Sequence, residues 1–387
     1  CIRDRKYAGS IEARHVRLTG EAYNEDTVRE LGRLSDPSTA APGSSTDSDG
    51  PIPLPPAEDP GGFRRAWGRI TTPILRSIAR FARWAFRIVK RLLGQQSQWL
   101  KHRAIDKRMV AAGIEVDPDV HHCHDLNTLR VGAILKSRTG KPLVYDSHEL
   151  QTERNRMTPA GRQKAIDEEG SLLPSVDAMI VASPSWIPWN LDLYGSLPDP
   201  TVTVLNVPEP TTIDPSLDLR TELGIPEDRT VVIYQGSIQE NRGIEPAIDA
   251  VATLEGCMLV VIGYGYHRPA LEDLVRQRGL EEVVRFFGPV PNDELISYSA
   301  SADIGLANIV NSSVSYFTSL PNKLFEYAMA DIPVVGSDSP EIGRIIQEEG
   351  IGEVCDPSNG EAISQAVERI LDDPGRYSNG LAHTRSI

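Results

Sequence analysis

The sequence predicts an α/β protein made of two Rossmann-like domains, each a parallel sheet with helices on both faces. After Asp119, short apolar runs alternate with helical patterns, and this alternation is typical of parallel sheets. The 387 residues suffice for two domains of ordinary size. A proline-rich stretch from Pro208 to Pro215 interrupts the alternation, and we interpret it as a hinge beside an active-site cleft. The predicted domains are residues 1–207 and 208–387.

The elements of the alternation are short apolar runs for strands and amphipathic stretches between them for helices. Predicted strands are Leu143–Tyr145, Ala178–Val181, Val202–Leu205, Val231–Tyr234, Met258–Ile262, Val284–Phe287, Ile304–Ala307, Pro333–Gly336 and Gly352–Cys355. Predicted helices include Gly243–Thr253, Arg268–Arg278, Asn292–Ser299 and Ser364–Leu371.

Composition narrows the class of protein. Hydrophobic residues make up 40% and charged residues 24%, as in ordinary globular enzymes. A net charge of −14 argues against a general nucleic-acid binder. Four cysteines without CxxC spacing indicate reduced thiols in a cytoplasmic protein. No apolar run reaches the ~18 residues that a membrane-spanning helix needs.

Two contrasting segments are expected to be inserted in the first domain. Residues 35–62, rich in Pro, Ser, Gly and Asp, predict a linker or disordered loop. Residues 63–93 predict a basic amphipathic helix that lies in an anionic membrane interface, because arginine in every turn excludes spanning. The alternative is a lid helix packed on this acidic chain. The basic stripe is Arg76, Arg80, Arg83, Arg87 and Arg91; the apolar stripe is Ile74, Ile78, Phe81, Ala85, Ile88 and Leu92.

The segment SLPNKLFEYAMADIPVV, residues 319–335, carries the strongest chemical signal. Pro321 is expected to open a helix at its first position. Lys323 and Glu326 then share a helical face, so a cation, a helix N-terminus and a carboxylate are presented beside a sheet. This combination suits a phosphate and sugar hydroxyls, whereas the alternative interpretation is a surface ion pair.

A second phosphate-binding pattern follows the first strand of the second domain. Gly236 allows a tight turn, and Arg242 stands at the start of the next helix, where it could hold a diphosphate. The alternative is a solvated turn arginine. Gly263 belongs to a lone GxG, which is weak as a dinucleotide fingerprint but lets a loop pass close to a ligand.

A polar cluster, His122 to Asp125, is expected to follow a strand end. Its His, Cys and Asp residues could suggest zinc, but such ligands would be too local and lack a second pair, so no metal is predicted. His148 and Glu149 follow the next strand, and their loop is expected to face the same cleft. The alternative interpretation is that Asp146 or Ser147 caps a helix there.

The P-x-K-L-F-E-Y form of residues 321–327 resembles the donor-site signature of the GT-B glycosyltransferases of retaining family 4. Further matches follow one another over the last two thirds of the chain. They are DVHHCHD (119–125), VYDSHEL (144–150), VDAMIVAS (176–183), LNVPE (205–209), YQGSIQENRGIEPAIDA (234–250), VIGYG (261–265) and VRFFGPVPNDEL (284–295).

The resemblance implies a GT-B architecture and transfer of a sugar from a nucleotide-diphosphate donor to a hydroxyl acceptor with retention of configuration. It implies no metal or other cofactor, and a departing phosphate that helps to remove the acceptor's proton. It gives the following residues roles: His124, Arg242 and Lys323 in catalysis; Gly236, Ser237, Arg242, Gly263, Val290, Asn322, Lys323, Leu324 and Glu326 in donor binding; and His122, Asp125, His148 and Glu149 as further cleft residues.

The chain departs from the family pattern at two positions. Ser237 stands where the family commonly has arginine, and Thr318 where it often has a second glutamate. These departures leave open a catalytically degenerate binding or scaffold protein, and a nucleotide-sugar 2-epimerase shares the fold. The family usually has a strand, a loop and a helix before the segment CIRDR, so we expect an N-terminal truncation.

The basic helix favours an acceptor near a membrane. We expect a glycan or lipid-linked acceptor, and a cytoplasmic enzyme bound peripherally to the inner face of the plasma membrane.

Overall fold

The structure, a computed structural model, describes residues 103–386 and contains two parallel sheets. The predicted linker at 35–62 and basic helix at 63–93 lie outside these residues. The first sheet has the strand order β1-β2-β3-β4 and the second β10-β9-β8-β5-β6-β7. The strands are β1 (His121–His124), β2 (Leu143–Ser147), β3 (Ala178–Val181), β4 (Thr201–Thr203), β5 (Thr230–Gln235), β6 (Cys257–Ile262), β7 (Val284–Phe287), β8 (Ile304–Ala307), β9 (Val334–Ser337) and β10 (Gly352–Cys355).

Helices connect the strands, as parallel neighbours require. They are α1 (103–116), α2 (Asp125–Thr139), α3 (Pro159–Leu172), α4 (Trp186–Tyr194), α5 (Leu219–Leu223), α6 (Ile244–Val251), α7 (Arg268–Arg278), α8 (Leu295–Ser299), α9 (Val314–Phe317), α10 (Asn322–Met329), α11 (Pro340–Glu349), α12 (Gly360–Asp372) and α13 (Ser378–Ser386). Within residues 103–386, none of the helices combines the length and apolar character needed to cross a membrane.

The predicted alternation is confirmed, with most strand bounds shifted by one or two residues. One difference matters for the site. Of the residues expected to follow a strand end, only Asp125 does so, whereas the three before it belong to strand β1 itself. In β1, His122 and His124 are exposed on one face, and His121 and Cys123 are buried on the other. Three histidines in four residues conceal the alternation of a half-buried strand, because they replace the usual apolar residues.

The order of the second sheet creates a crevice. Strand β5 has β6 on one side and β8 on the other, so the chain reverses direction across the sheet at the β5–β8 pair. Ligands of open α/β sheets bind outside the carboxyl ends of the strands at such a point. Gln235 and Ala307 end these two strands and therefore border the expected ligand site.

The two sheets have separate cores, but one helix crosses between them. Val314 and Phe317 of α9 are buried among first-domain residues that include Trp186, although they lie far beyond the predicted hinge. The Trp186 indole donates to the Thr318 hydroxyl at 3.0 Å, and the Ser183 hydroxyl donates to the Thr318 carbonyl at 2.8 Å. The domain junction is therefore packed and hydrogen-bonded.

Candidate functional site

Helix α10 presents the residues of the strongest sequence signal. Pro321 is extended and precedes the helix as its N-cap, so the helix begins at Asn322, one residue later than predicted. Asn322 itself is exposed. The apolar face is buried as expected, with Leu324 0% and Ala328 1% exposed. Asp331, just after the helix, adopts a left-handed conformation at φ 64°, as its residue type allows.

Lys323 is buried rather than paired at the surface. Its side chain is 7% exposed, and its Nζ lies 3.6 Å from the centre of the Tyr234 ring. Within residues 103–386 this Nζ has no hydrogen-bond partner, so the alternative interpretation of a surface ion pair with Glu326 is wrong. Burial lowers the pKa of Lys323 well below its usual value, and the nearby Arg242 guanidinium lowers it further.

Arg242 is the second cation of the site. Its guanidinium carbon lies 4.7 Å from the centre of the Tyr316 ring, and its buried Nε finds no partner in the described part of the chain. The next residue, Gly243, caps helix α6 in a left-handed conformation at φ 71°. The backbone N–H groups at the start of α6 therefore lie next to this arginine, an arrangement suited to an anion.

Glu326 is held by a chain of side chains that the sequence argument missed. Gln235 Nε2 donates to Glu326 Oε2 at 2.5 Å, and the Ser299 hydroxyl donates to Gln235 Oε1. Burial raises the pKa of Glu326, while the Gln235 hydrogen bond and Lys323 oppose that rise. A glutamine at the end of an otherwise apolar strand was the available signal for this support.

Two glycine loops cross at the edge of the crevice. Gly236 and Gly263 have φ angles of 119° and 138°. A Cβ on Gly263 would lie 2.0 Å from the Gly236 carbonyl oxygen, so only glycine fits there. Ser237 is exposed beside them. The glycine is thus required for the close approach of two backbone segments, and the predicted approach of this loop to a ligand stays a prediction.

The remaining donor-binding candidates differ in what they present. Val290 is partly buried against the second-domain core. Leu324 is fully buried, and its backbone N–H donates to the Pro321 carbonyl at 3.1 Å, so its side chain belongs to the core. Asn308, which follows β8 and was missed, is 0% exposed, and among the described residues neither of its amide atoms has a partner.

In the first domain, three histidines converge on one carboxylate. His122, His124 and His148 each place a ring nitrogen within 3.1–3.4 Å of Asp146 Oδ2. Burial lowers the pKa of His124, and His122 lowers it further, whereas Asp146 acts in the opposite direction. Asp125 accepts from the His148 backbone N–H at 3.1 Å.

The other residues of this loop have structural partners. Glu149 pairs with Arg154 at 3.2 Å. The Ser147 hydroxyl donates to the Glu149 carbonyl at 3.0 Å, and the short helix that follows is capped by Leu150, so the alternative of a helix cap from Asp146 or Ser147 is wrong.

The carboxyl ends of both sheets face the same cleft. Arg156, in the loop after β2, pairs with Glu240, in the loop after β5. That the histidine cluster and the cations of the second domain border one space stays a prediction. Thr318 does not line the donor pocket, because it is 0% exposed at the domain junction.

Comparison with known proteins agrees with this geometry. Residues 216–383 match the family model described as Glycosyl transferases group 1. The D-inositol 3-phosphate glycosyltransferase of Corynebacterium aurimucosum is 28% identical over 289 residues, which cover 69% of this chain and 67% of that protein. The alpha-D-kanosaminyltransferase of Streptomyces kanamyceticus is 32% identical over 161 residues, 41% of this chain and 40% of its own length.

Solved structures show the same fold. Sucrose-phosphate synthase from Thermosynechococcus elongatus superposes with a TM-score of 0.58 at 22% identity, covering 73% of this chain and 71% of that chain. HepE of Anabaena in complex with UDP-glucose gives a TM-score of 0.58 at 16% identity, covering 73% of this chain and 76% of that chain. The chain is a glycosyltransferase of GT-B architecture, and its residues 216–383 form a domain of the glycosyl transferases group 1 family.

Proposed function

We propose that this glycosyltransferase takes its sugar from a nucleoside-diphosphate donor and transfers it to a hydroxyl acceptor with retention of configuration. One observation carries the assignment of the donor site. Lys323 Nζ and Arg242 Nε are buried at the carboxyl end of the second sheet, and within residues 103–386 neither has a hydrogen-bond partner. Buried cationic groups are normally paired, so their arrangement supports an anionic ligand.

The diphosphate would then be the leaving group. Lys323, Arg242 and the first N–H groups of α6 would stabilise the charge that develops as the bond to the sugar breaks. The acceptor hydroxyl would approach from the leaving-group side, and the departing phosphate oxygen would take its proton. Glu326, one helical turn from Lys323 and oriented by Gln235, is placed to accept from the ribose hydroxyls.

The two rival functions gain no support. The relatives described above are named for glycosyl transfer, which does not favour the 2-epimerase. Thr318, one of the two departures that suggested a scaffold protein, has a structural role at the junction, where Trp186 and Ser183 donate to it. A structural role therefore accounts for the threonine at this position.

Donor binding is expected to depend on Arg242. Arg242→Ala should weaken the binding of UDP, GDP or ADP, whichever binds, by about 1.5–3 kcal/mol, since a charge-assisted contact is lost. Isothermal titration measures the affinity, and release of free sugar from the donor measures the chemistry. Arg276→Ala, which removes an exposed arginine from α7, is the control. Equal affinities in wild type and Arg242→Ala would reject the assignment.

The same titration examines Glu326. Glu326→Gln should weaken nucleotide binding. In that variant the 2′,3′-dideoxy analogue should bind only slightly more weakly than the normal nucleotide, because both changes remove the same interaction. Additive losses of affinity would show that Glu326 does not contact the ribose hydroxyls.

The membrane association stays a proposal about residues outside the described structure. If residues 63–93 bind an anionic surface, the acceptor is a lipid-linked or membrane-proximal glycan on the cytoplasmic side. Each basic residue near such a surface contributes about 1 kcal/mol, and salt weakens it. Co-sedimentation with anionic vesicles at low salt should therefore be lost when residues 63–93 are deleted, and equal sedimentation of both chains would favour the lid.

A further inference from the structure

The histidine cluster of the first domain has the pattern of a metal site built on two neighbouring strands. Side chains alternate along a strand, so His122 and His124 of β1 lie on the same face. His124 is the register partner of Asp146 on β2, and His148 stands two residues after Asp146. The spacing of His122 to Asp125 alone predicted no zinc site, but Asp146 and His148 supply a second pair of possible ligands.

Four of the six distances between the possible ligand atoms are close to those around one small ion. Asp146 Oδ2 lies 3.1 Å from His122 Nε2, 3.4 Å from His124 Nδ1 and 3.3 Å from His148 Nε2. His124 Nδ1 and His148 Nε2 are 2.9 Å apart. Four ligand atoms bound tetrahedrally at the usual zinc distances are about 3.3 Å from one another. The ligand atoms of His122, His124 and Asp146 all lie within 4.8 Å of one another.

Without an ion, two hydrogen bonds hold the cluster: His122 Nε2 donates to Asp146 Oδ2, and one of the facing nitrogens of His124 and His148 donates to the other. One carboxylate oxygen faces three ring nitrogens, and two of those nitrogens face each other. A cation could replace these bonds, because each ring nitrogen would then offer it a lone pair and the carboxylate would supply negative charge.

We propose that His122, His124, Asp146 and His148 bind one divalent transition-metal ion of the Zn²⁺ class. Imidazole ligands with a single carboxylate suit zinc and its neighbours, whereas magnesium and calcium prefer oxygen ligands throughout. The three histidine side chains are 44%, 56% and 47% exposed, so an ion can enter from the cleft. Asp125, bonded to the His148 backbone, helps to fix the position of that ligand.

The inference is independent of the donor site and is tested by metal binding itself. The full chain is stripped with a chelator and titrated with Zn²⁺ by calorimetry, and Co²⁺ is used as a spectroscopic probe of the ligand geometry. We expect about one ion per chain and the intense visible absorption of a tetrahedral Co²⁺ centre. His124→Ala and His148→Ala should each weaken Zn²⁺ by more than the roughly 10–100-fold that loss of an outer partner costs.

His383→Ala, which changes an exposed histidine on α13, is the matched control and should bind as wild type does. Circular dichroism of the stripped variants shows whether they are folded, and both substituted side chains are exposed in strand or loop, so folding should be retained. Absence of saturable Zn²⁺ binding in the wild-type chain would overturn the proposal. Zn²⁺ binding by His124→Ala and His148→Ala that is as tight as in the wild-type chain would overturn it as well.

Discussion

Replacing Lys323 with methionine should abolish tight donor binding and at the same time stabilise the ligand-free protein. Methionine fills a similar volume without a charge. Removing the charge-assisted contact to the diphosphate should raise Kd roughly 10- to 150-fold, which corresponds to about 1.5–3 kcal/mol. Opposite effects on binding and on stability are expected where a charged group is held ready for a ligand.

The gain in stability follows from the burial of the ammonium. Lys323 is 7% exposed, and its contact with the Tyr234 ring replaces only part of its hydration. The lowered pKa means that folding disfavours the protonated side chain. Replacement of buried ionic groups by apolar residues stabilises proteins by about 1–4 kcal/mol, and we expect a gain in this range.

The effect should depend on pH in a defined direction. Since the pKa of Lys323 is lower in the folded than in the unfolded chain, the unfolded chain binds more protons between those two values. The Lys323 contribution to the wild-type free energy of unfolding therefore becomes more favourable as pH rises towards about 10.4. The advantage of Lys323→Met should be largest below the folded-state pKa of Lys323 and shrink as pH rises towards about 10.4.

Urea unfolding at several pH values and nucleotide titration at neutral pH measure both effects. Lys164→Met, which changes an exposed lysine on α3, is the control and should alter neither property. A Lys323→Met protein that is less stable than wild type, or that binds nucleoside diphosphates normally, would contradict the interpretation of Lys323 as a ligand-binding cation.

Much of this architecture could be predicted because it depends on local patterns. The strands of the second sheet are apolar runs, and α10 shows its buried face in the spacing of Leu324 and Ala328. The strand β1 could not be predicted, since histidines occupy its exposed face and half of its buried one. Strand β1 is defined by its pairing with β2, and a single sequence does not reveal which segments pair.

The same limit applies to the site. Lys323 and Glu326 were identified from their spacing, but their environments depend on Tyr234 and Gln235, which are about ninety residues earlier in the chain. The second ligand pair of the histidine cluster likewise became visible only through the register of β1 with β2. Thr318 looked like a lost catalytic position until its contact with Trp186 was known.

The largest loss of stability is expected from a substitution at the domain junction. Glu341, at the start of α11, is 0% exposed and accepts from the Ser185 backbone N–H at 2.9 Å and from the Ser185 hydroxyl. Its other oxygen lies 3.1 Å from Arg344. The carboxylate thus connects the second domain to the first and balances an arginine that is only 15% exposed.

Glu341→Ala should lower the free energy of unfolding by roughly 2–5 kcal/mol, because it removes the acceptor of two buried Ser185 donors and leaves Arg344 with only its exposed partner. Glu341→Gln keeps an acceptor oxygen and should lose less. Glu348→Ala removes the exposed partner of the same Arg344 and should cost only about 0.5 kcal/mol.

Urea unfolding followed by tryptophan fluorescence reports on this region, since Trp186 lies at the junction. Nucleoside-diphosphate affinity should change little in Glu341→Ala, because Arg242, Lys323 and Glu326 all belong to the second domain, whereas sugar transfer should fall since it requires both domains. An unfolding curve for Glu341→Ala that matches that of Glu348→Ala would show that the junction does not depend on this carboxylate.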